Sequence, residues 1–179
     1  MKKLKLLQIQ GKYAPSWWLQ QHEQQFIATL ESILSQPSLI ISTRYRTDLF
    51  FIENNNIVDN IIKSWCLNQC KDYHHRFIEL FTQVDNRNDA LRHYFTSLYI
   101  LAKYPRAFQQ YKHKFNLVKE RQAKNSIMIM LIKSEQYLDR VNNAYRASGM
   151  MLNEENSLKD SSYPINNEKI YWLQNLNSN

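Results

Sequence analysis

The sequence predicts a mainly α-helical domain with a short N-terminal strand and a small β-hairpin. Three observations lead there. The chain holds only 2 Gly and 4 Pro in 179 residues, and so few turn formers and helix breakers favour long helices over a sandwich of many short strands. Apolar residues recur at helical spacing over most of the length. Residues 3–10 and 38–52 read as strands instead. At 44% hydrophobic and 13% aromatic, the chain has enough apolar material for a core. Its length suits one helical domain, placed at 1–150, followed by a polar Asn- and Ser-rich tail at 151–179.

Taken in order, residues 3–10 (KLKLLQIQ) read as a strand that ends at Gly11. The alternation is broken at Leu6-Leu7, with Lys3 and Lys5 on one face and Gln8 and Gln10 on the other. Pro15-Ser16 opens a helix expected from Trp17 to about Ser35, with Trp18, Phe26, Leu30 and Leu34 at helical spacing. Pro37 closes it. Residues 38–52 are rich in β-branched and aromatic side chains, and suggest one or two strands, with a hairpin turn near Arg46-Thr47-Asp48. After the polar Asn54-Asn55-Asn56, a helix is expected from Ile57 to Val84, with a break possible at Lys71-Asp72. Another runs from Asp89 to Lys103, where Leu91, Tyr94, Phe95, Leu98 and Leu101 share a face. Pro105 suits the first turn of a new helix, and helical pattern continues to Gly149, a C-terminal cap. The polar stretch Lys119–Asn125 is a candidate turn, with Ser126 capping the second half. Tyr171, Trp172 and Leu173 are a candidate docking anchor in the tail.

Charge is the strongest functional signal. The chain carries a formal +7, and residues 103–124 hold seven cations against the single acid Glu120, a local +6. Those cations are Lys103, Arg106, Lys112, Lys114, Lys119, Arg121 and Lys124. Tyr104, Phe108, Tyr111 and Phe115 are interleaved with them. On a helix, Phe108, Tyr111, Phe115 and Val118 form one stripe with cations on both sides. Such a helix can be buried along the stripe and touch phosphates with its flanks. The same pattern describes a helix on anionic lipid, and a solvated face whose Lys and Arg stems cover the core edge.

The N-terminal strand is a second candidate. Some dimeric regulators pair one strand from each subunit and lay the ribbon in the major groove. Lys3, Lys5, Gln8 and Gln10 are residue types that reach base edges. They also describe an ordinary edge strand guarded by lysine.

Cys66-x3-Cys70-x3-His74-His75 is a weak metal candidate. On one continuous helix Cys66, Cys70 and His74 fall near one face, and His22, His93 or His113 could supply a fourth ligand. The second ligand pair of a structural zinc site is lacking, and cysteine is commonly buried without metal. No cofactor is expected. Enzymatic signatures are missing: there is no glycine-rich phosphate loop, nucleophile elbow or His-Glu-x-x-His. Asp48 and Glu53 are a conceivable metal-binding acid pair. The longest apolar run, Ile127–Ile132, is far short of a membrane span. Lys5, Gln8 and Gln10 interrupt what begins like a signal peptide. Two cysteines suit free thiols in a reducing, cytoplasmic compartment.

Residues Tyr13-Ala14-Pro15-Ser16-Trp17-Trp18-Leu19, with Glu23, resemble the Tyr-Ala-x-Trp-Trp-Leu-x3-Glu stretch of a family of transcriptional regulators encoded by integrating conjugative elements and related plasmids. Pro15 and Ser16 stand where that pattern has one residue, and the match covers eleven residues. The resemblance implies a dimeric regulator with ribbon-helix-helix-like DNA binding, and transfers no DNA-contacting residue. The expectation is a non-enzymatic, homodimeric regulator or accessory protein of a bacterial mobile element, binding double-stranded DNA. The alternative is a helical interaction module in a larger complex, with Trp17, Trp18, Tyr171 and Trp172 as anchors for a protein partner.

Overall fold

A computed structural model describes residues 3–53 and 57–147. The Asn54-Asn55-Asn56 turn, the Gly149 cap and the Tyr171-Trp172-Leu173 anchor lie outside the described residues. The chain is mainly helical around one four-stranded antiparallel sheet. Strands β1 (Lys3–Gln10), β2 (Ser38–Ser42), β3 (Arg46–Glu53) and β4 (Thr82–Val84) are arranged β2-β3-β1-β4.

β1 therefore lies inside the sheet, not at an edge. It pairs with all of β3, from Lys3 opposite Glu53 to Gln10 opposite Arg46, and with β4 from Leu6 to Gln8. The Leu6-Leu7 break in alternation follows from this position. Helices cover both faces of the sheet, so both leucines are buried, and a strand covered on both sides has no reason to alternate. Gly11 ends β1 at φ +70, a conformation that suits glycine.

The predicted hairpin forms, but it turns at Thr43-Arg44-Tyr45, earlier than expected. The Thr43 hydroxyl accepts from the backbone N–H of Tyr45 (3.3 Å) and Arg46 (3.2 Å) and donates to the Arg46 carbonyl (2.9 Å). This threonine-centred turn frees Arg46, Thr47 and Asp48 to start β3.

One face carries α1 (Glu23–Ile33) and α2 (Val58–Asn68). Here Leu7, Ile9, Ile40, Leu49 and Phe51 pack on Phe26, Leu30, Ile61, Ile62 and Trp65. The Trp17–Ser35 helix is shorter than predicted. Gly11–Trp17 and Gln20–His22 are 3-10 turns, and α1 starts only at Glu23. The 57–84 helix also divides: α2 ends at Asn68, a 3-10 turn spans His75–Leu80, and Thr82–Val84 becomes β4.

The other face carries α3 (Arg87–Ala102), α4 (Pro105–Arg121) and α5 (Ser126–Ala147). Leu4, Leu6, Leu39, Ile41 and Phe50 meet Leu91, Tyr94, Tyr111, Val118, Ile127, Met128 and Leu131 there. Asn86 caps α3, its side chain accepting from Asp89 N–H at 2.8 Å. Pro105 stands in the first turn of α4, as expected. The turn at 122–125 separates α4 from α5, but Asn125 caps α5 in place of Ser126, accepting from Ile127 N–H at 2.9 Å. Among the described residues no helix is long and apolar enough to cross a membrane.

Candidate nucleic-acid interface

The surface follows from how α4 is seated. Ala107, Tyr111 and Val118 are buried, and Phe108 and Phe115 are half-buried, so the aromatic stripe faces the core. At 3.6 residues per turn this orients the remaining positions. Lys112 and Lys119 emerge along one flank, and Arg106 and Arg121 along the other. Between them, facing away from the core, lie Gln109, His113, Asn116 and Glu120, all exposed. Lys103 and Lys124 extend the basic surface past the two ends, and both are exposed.

Of the seven predicted cations, Lys114 is placed differently. Its ammonium sits 2.7 Å from Glu23, with side-chain exposures of 22% and 9%. α1 and α4 lie on opposite faces of the sheet, so this bridge closes over edge strand β2. There Asn125 Nδ2 also donates to the Ser38 carbonyl at 2.8 Å. Lys114 thus anchors the helix. The other six form no ion pair among the described residues.

Beneath α4 a buried polar cluster holds the helix in register. Asp48, on β3, is fully enclosed. Its Oδ2 accepts from Arg46 Nε at 2.7 Å and from the Tyr111 hydroxyl at 2.5 Å, and its Oδ1 accepts from Gln8 Nε2 at 2.6 Å. Gln8 Nε2 also donates to Ser97, and Gln8 Oε1 lies 3.0 Å from His93 Nε2, both on α3. Since the Gln8 carbonyl can only accept, His93 carries its proton on Nε2. Arg46 Nη2 donates to the Tyr94 carbonyl at 3.3 Å, while Nη1 has no hydrogen-bond partner. The guanidinium carbon lies 5.2 and 5.1 Å from the Tyr94 and Tyr111 ring centroids, within cation–π range.

The electrostatics of this cluster follow from burial. Desolvation opposes the Arg46 charge, but Asp48 and then Tyr111 outweigh it and hold the guanidinium charged above its ordinary range. Burial, and next the Asp48 charge, push the Tyr94 and Tyr111 phenols upward. Burial, and next the Arg46 charge, lower His93, which is neutral at pH 7. Apart from Arg46 Nη1, the side chains of this cluster are satisfied by one another and by the Tyr94 carbonyl. Tyr94 and Tyr111 line a cleft of about 80 Å³ between α3, α4 and α5, small beside the several hundred Å³ of ordinary ligand pockets.

The N-terminal candidates do not form a reading surface. Gln8 is fully buried in the polar cluster, and Lys5 is 7% exposed and reaches Asp85 at 3.5 Å. Lys3 and Gln10 are exposed, but they occupy opposite ends and opposite faces of β1, on the order of 24 Å apart. β1 pairs along its whole length with β3 and at Leu6–Gln8 with β4, so its central residues are not open to a ribbon with a second subunit.

The cysteine motif also resolves differently. α2 ends between its members. Lys71 N–H donates to the Cys66 carbonyl at 2.9 Å and Cys70 N–H to the Leu67 carbonyl at 3.1 Å, the bond pattern of a Schellman cap. Cys70 occupies its left-handed position at φ 52. Cys66 is buried and Cys70 exposed, both as free thiols, and His74 accepts from Arg76 N–H at the start of the following 3-10 turn. Among the described residues no group of His, Cys, Asp or Glu is arranged to hold a metal ion. Asp48 and Glu53, five apart in β3, sit on opposite faces of the sheet. Trp17 is a core residue with its ring centroid 4.8 Å from Phe81 and 5.8 Å from Trp65. It is therefore not a surface anchor, and Trp18 is half-buried.

Gln109 and Asn116 are not among the candidates from sequence, and His113 is one only as a metal ligand. The signal was present in the wheel of α4, whose outer strip is polar once the aromatic stripe is turned inward. No protein-family model, curated protein or solved structure matches this chain.

Proposed function

We propose that this chain binds nucleic acid, double-stranded DNA in particular, by laying α4 in the major groove. The observation that carries this reading is the division of α4 into three strips. Its aromatic stripe faces the core, two cationic flanks are exposed, and a polar strip ending at Glu120 lies between them. A helix of about 10–12 Å diameter fits a groove about 12 Å wide. Cations on both flanks then meet phosphates on both walls, while Gln109, His113 and Asn116 face base edges. Glutamine and asparagine are side chains that bond adenine on two edges. Glu120, at the end of the strip, disfavours phosphate and accepts from cytosine. The polar cluster below gives α4 a fixed seat through Tyr111, which a groove-reading helix requires.

A role as a regulator, and a setting in a bacterial mobile element, rest on the short Tyr13–Glu23 resemblance alone. Two free thiols suit a cytoplasmic location. A homodimer would present two α4 helices to successive grooves, and sedimentation equilibrium reads that directly.

The test is a fluorescence-anisotropy titration with duplex DNA over a range of salt. Six exposed cations set an upper slope of about −5 in log K against log salt, from about −0.9 per phosphate neutralised. Lys112→Glu with Lys119→Glu lowers affinity and flattens that slope by about 2. Failure to bind duplex at low salt would end this reading and turn the search to a protein partner.

A further inference from the structure

The corner joining α3 to α4 brings three exposed large hydrophobic side chains close together in the chain. Of the seven large exposed hydrophobic side chains among the described residues, Tyr99, Ile100 and Tyr104 fall within six positions, at 56%, 49% and 64% exposure. Lys103 and Arg106 flank Tyr104, and both are exposed. Tyr104 is the most exposed of the three, and it stands between Lys103 and the α4 flank cation Arg106 in the chain, so the charge that attracts phosphate on that flank extends to the phenol.

A tyrosine beside cations gains little from an intact duplex, whose bases are stacked on one another and show only their edges. It gains from an unpaired base, which offers a free π-face while its flanking phosphates meet the neighbouring cations. We propose that the Tyr99–Arg106 corner is a stacking platform for an unpaired base. The preferred ligand is then a junction between duplex and single-stranded nucleic acid. α4 holds the duplex arm, Tyr104 stacks on the first unpaired base, and Lys103 and Arg106 take the phosphates beside it. This inference rests on the nucleic-acid reading of α4 and narrows it to a substrate class.

The test compares a blunt duplex with the same duplex bearing a single-stranded overhang of about six nucleotides at its 5′ or 3′ end, a length within the range such surfaces occupy. The full chain should bind one overhang probe about 5- to 150-fold more tightly than the blunt one, the effect of one stacked base. Tyr104→Ala should abolish that preference and leave blunt-duplex affinity unchanged, and Tyr104→Trp should retain it. Equal affinity of the unsubstituted protein for all three probes overturns the proposal while leaving duplex binding by α4 intact. An equal loss on every probe in Tyr104→Ala also overturns it, since Tyr104 would then act through fold or self-association. Absence of binding to any probe removes the α4 reading and this inference together.

Discussion

Replacing Asp48 by asparagine removes one charge and almost no volume, and it should be among the most destabilising substitutions in the chain. The carboxylate has three donors on it: Gln8 Nε2, Arg46 Nε and the Tyr111 hydroxyl. Asparagine offers one acceptor oxygen and turns an N–H₂ toward one of those donors. Gln8 cannot invert to accept it, because its carbonyl already faces His93. Arg46, with a side chain 0% exposed like that of Asp48, is left as a buried charge without its counterion. Breaking such a pair from one side costs about 3–5 kcal/mol, against a total stability on the order of 5–15 kcal/mol. For a chain of this size each kcal/mol moves Tm by about 2–4 °C, so the expected fall is about 6–20 °C. Urea unfolding followed by tryptophan fluorescence, with circular dichroism for Tm, measures both quantities. Adding Arg46→Met to Asp48→Asn should recover part of the loss, since the uncompensated charge is gone. A loss below about 1 kcal/mol for Asp48→Asn, or a double variant weaker than the single one, would refute the account of this cluster as the seat of α4.

Three other predictions come from the same structure. His93 has its pKa lowered by burial and by Arg46, so below the unfolded value of about 6.5 the unfolded chain takes up the proton first. Stability should therefore fall as pH drops from 7 toward the folded value. Urea midpoints for His93→Gln, which keeps a donor toward Gln8, should decline less over that interval; equal declines would count against the assignment. Lys114→Ala should cost about 1–3 kcal/mol, because Glu23 is left nearly buried and unpaired. It should leave the salt dependence of duplex binding unchanged, unlike the Lys112 and Lys119 reversals, and a flattened slope would contradict its anchoring role. Cys70→Gly should raise stability by about 1 kcal/mol in denaturant titration, since Cys70 adopts the left-handed conformation at φ 52, which costs a side chain roughly 1–2 kcal/mol. A loss of stability would mean that the thiol contributes packing at that cap.

Much of the outline was legible because it is local. Pro105, the polar turn after Arg121 and the recurrence of Tyr111, Phe115 and Val118 define α4 and its buried stripe from neighbours a few residues apart, and the concentration of charge in 103–124 needs no fold to be seen. The existence of the 38–52 hairpin is local too, through its β-branched and aromatic content. What only the tertiary structure decided is which surfaces remain. Gln8 reads as a surface glutamine until β3 and α3 bring Asp48 and Ser97 to it from 40 and 89 positions away. Lys114 reads like its neighbours until the fold closes Glu23 over β2 from 91 positions away. Cys66 and Cys70 read as one helical face until α2 stops at Asn68, where Gln69 Nε2 donates to the Trp18 carbonyl at 3.0 Å. Periodicity reports whether a residue faces inward or outward on its own element. It carries no record of what packs against that element, and burial, pairing and charge compensation are set by those distant partners.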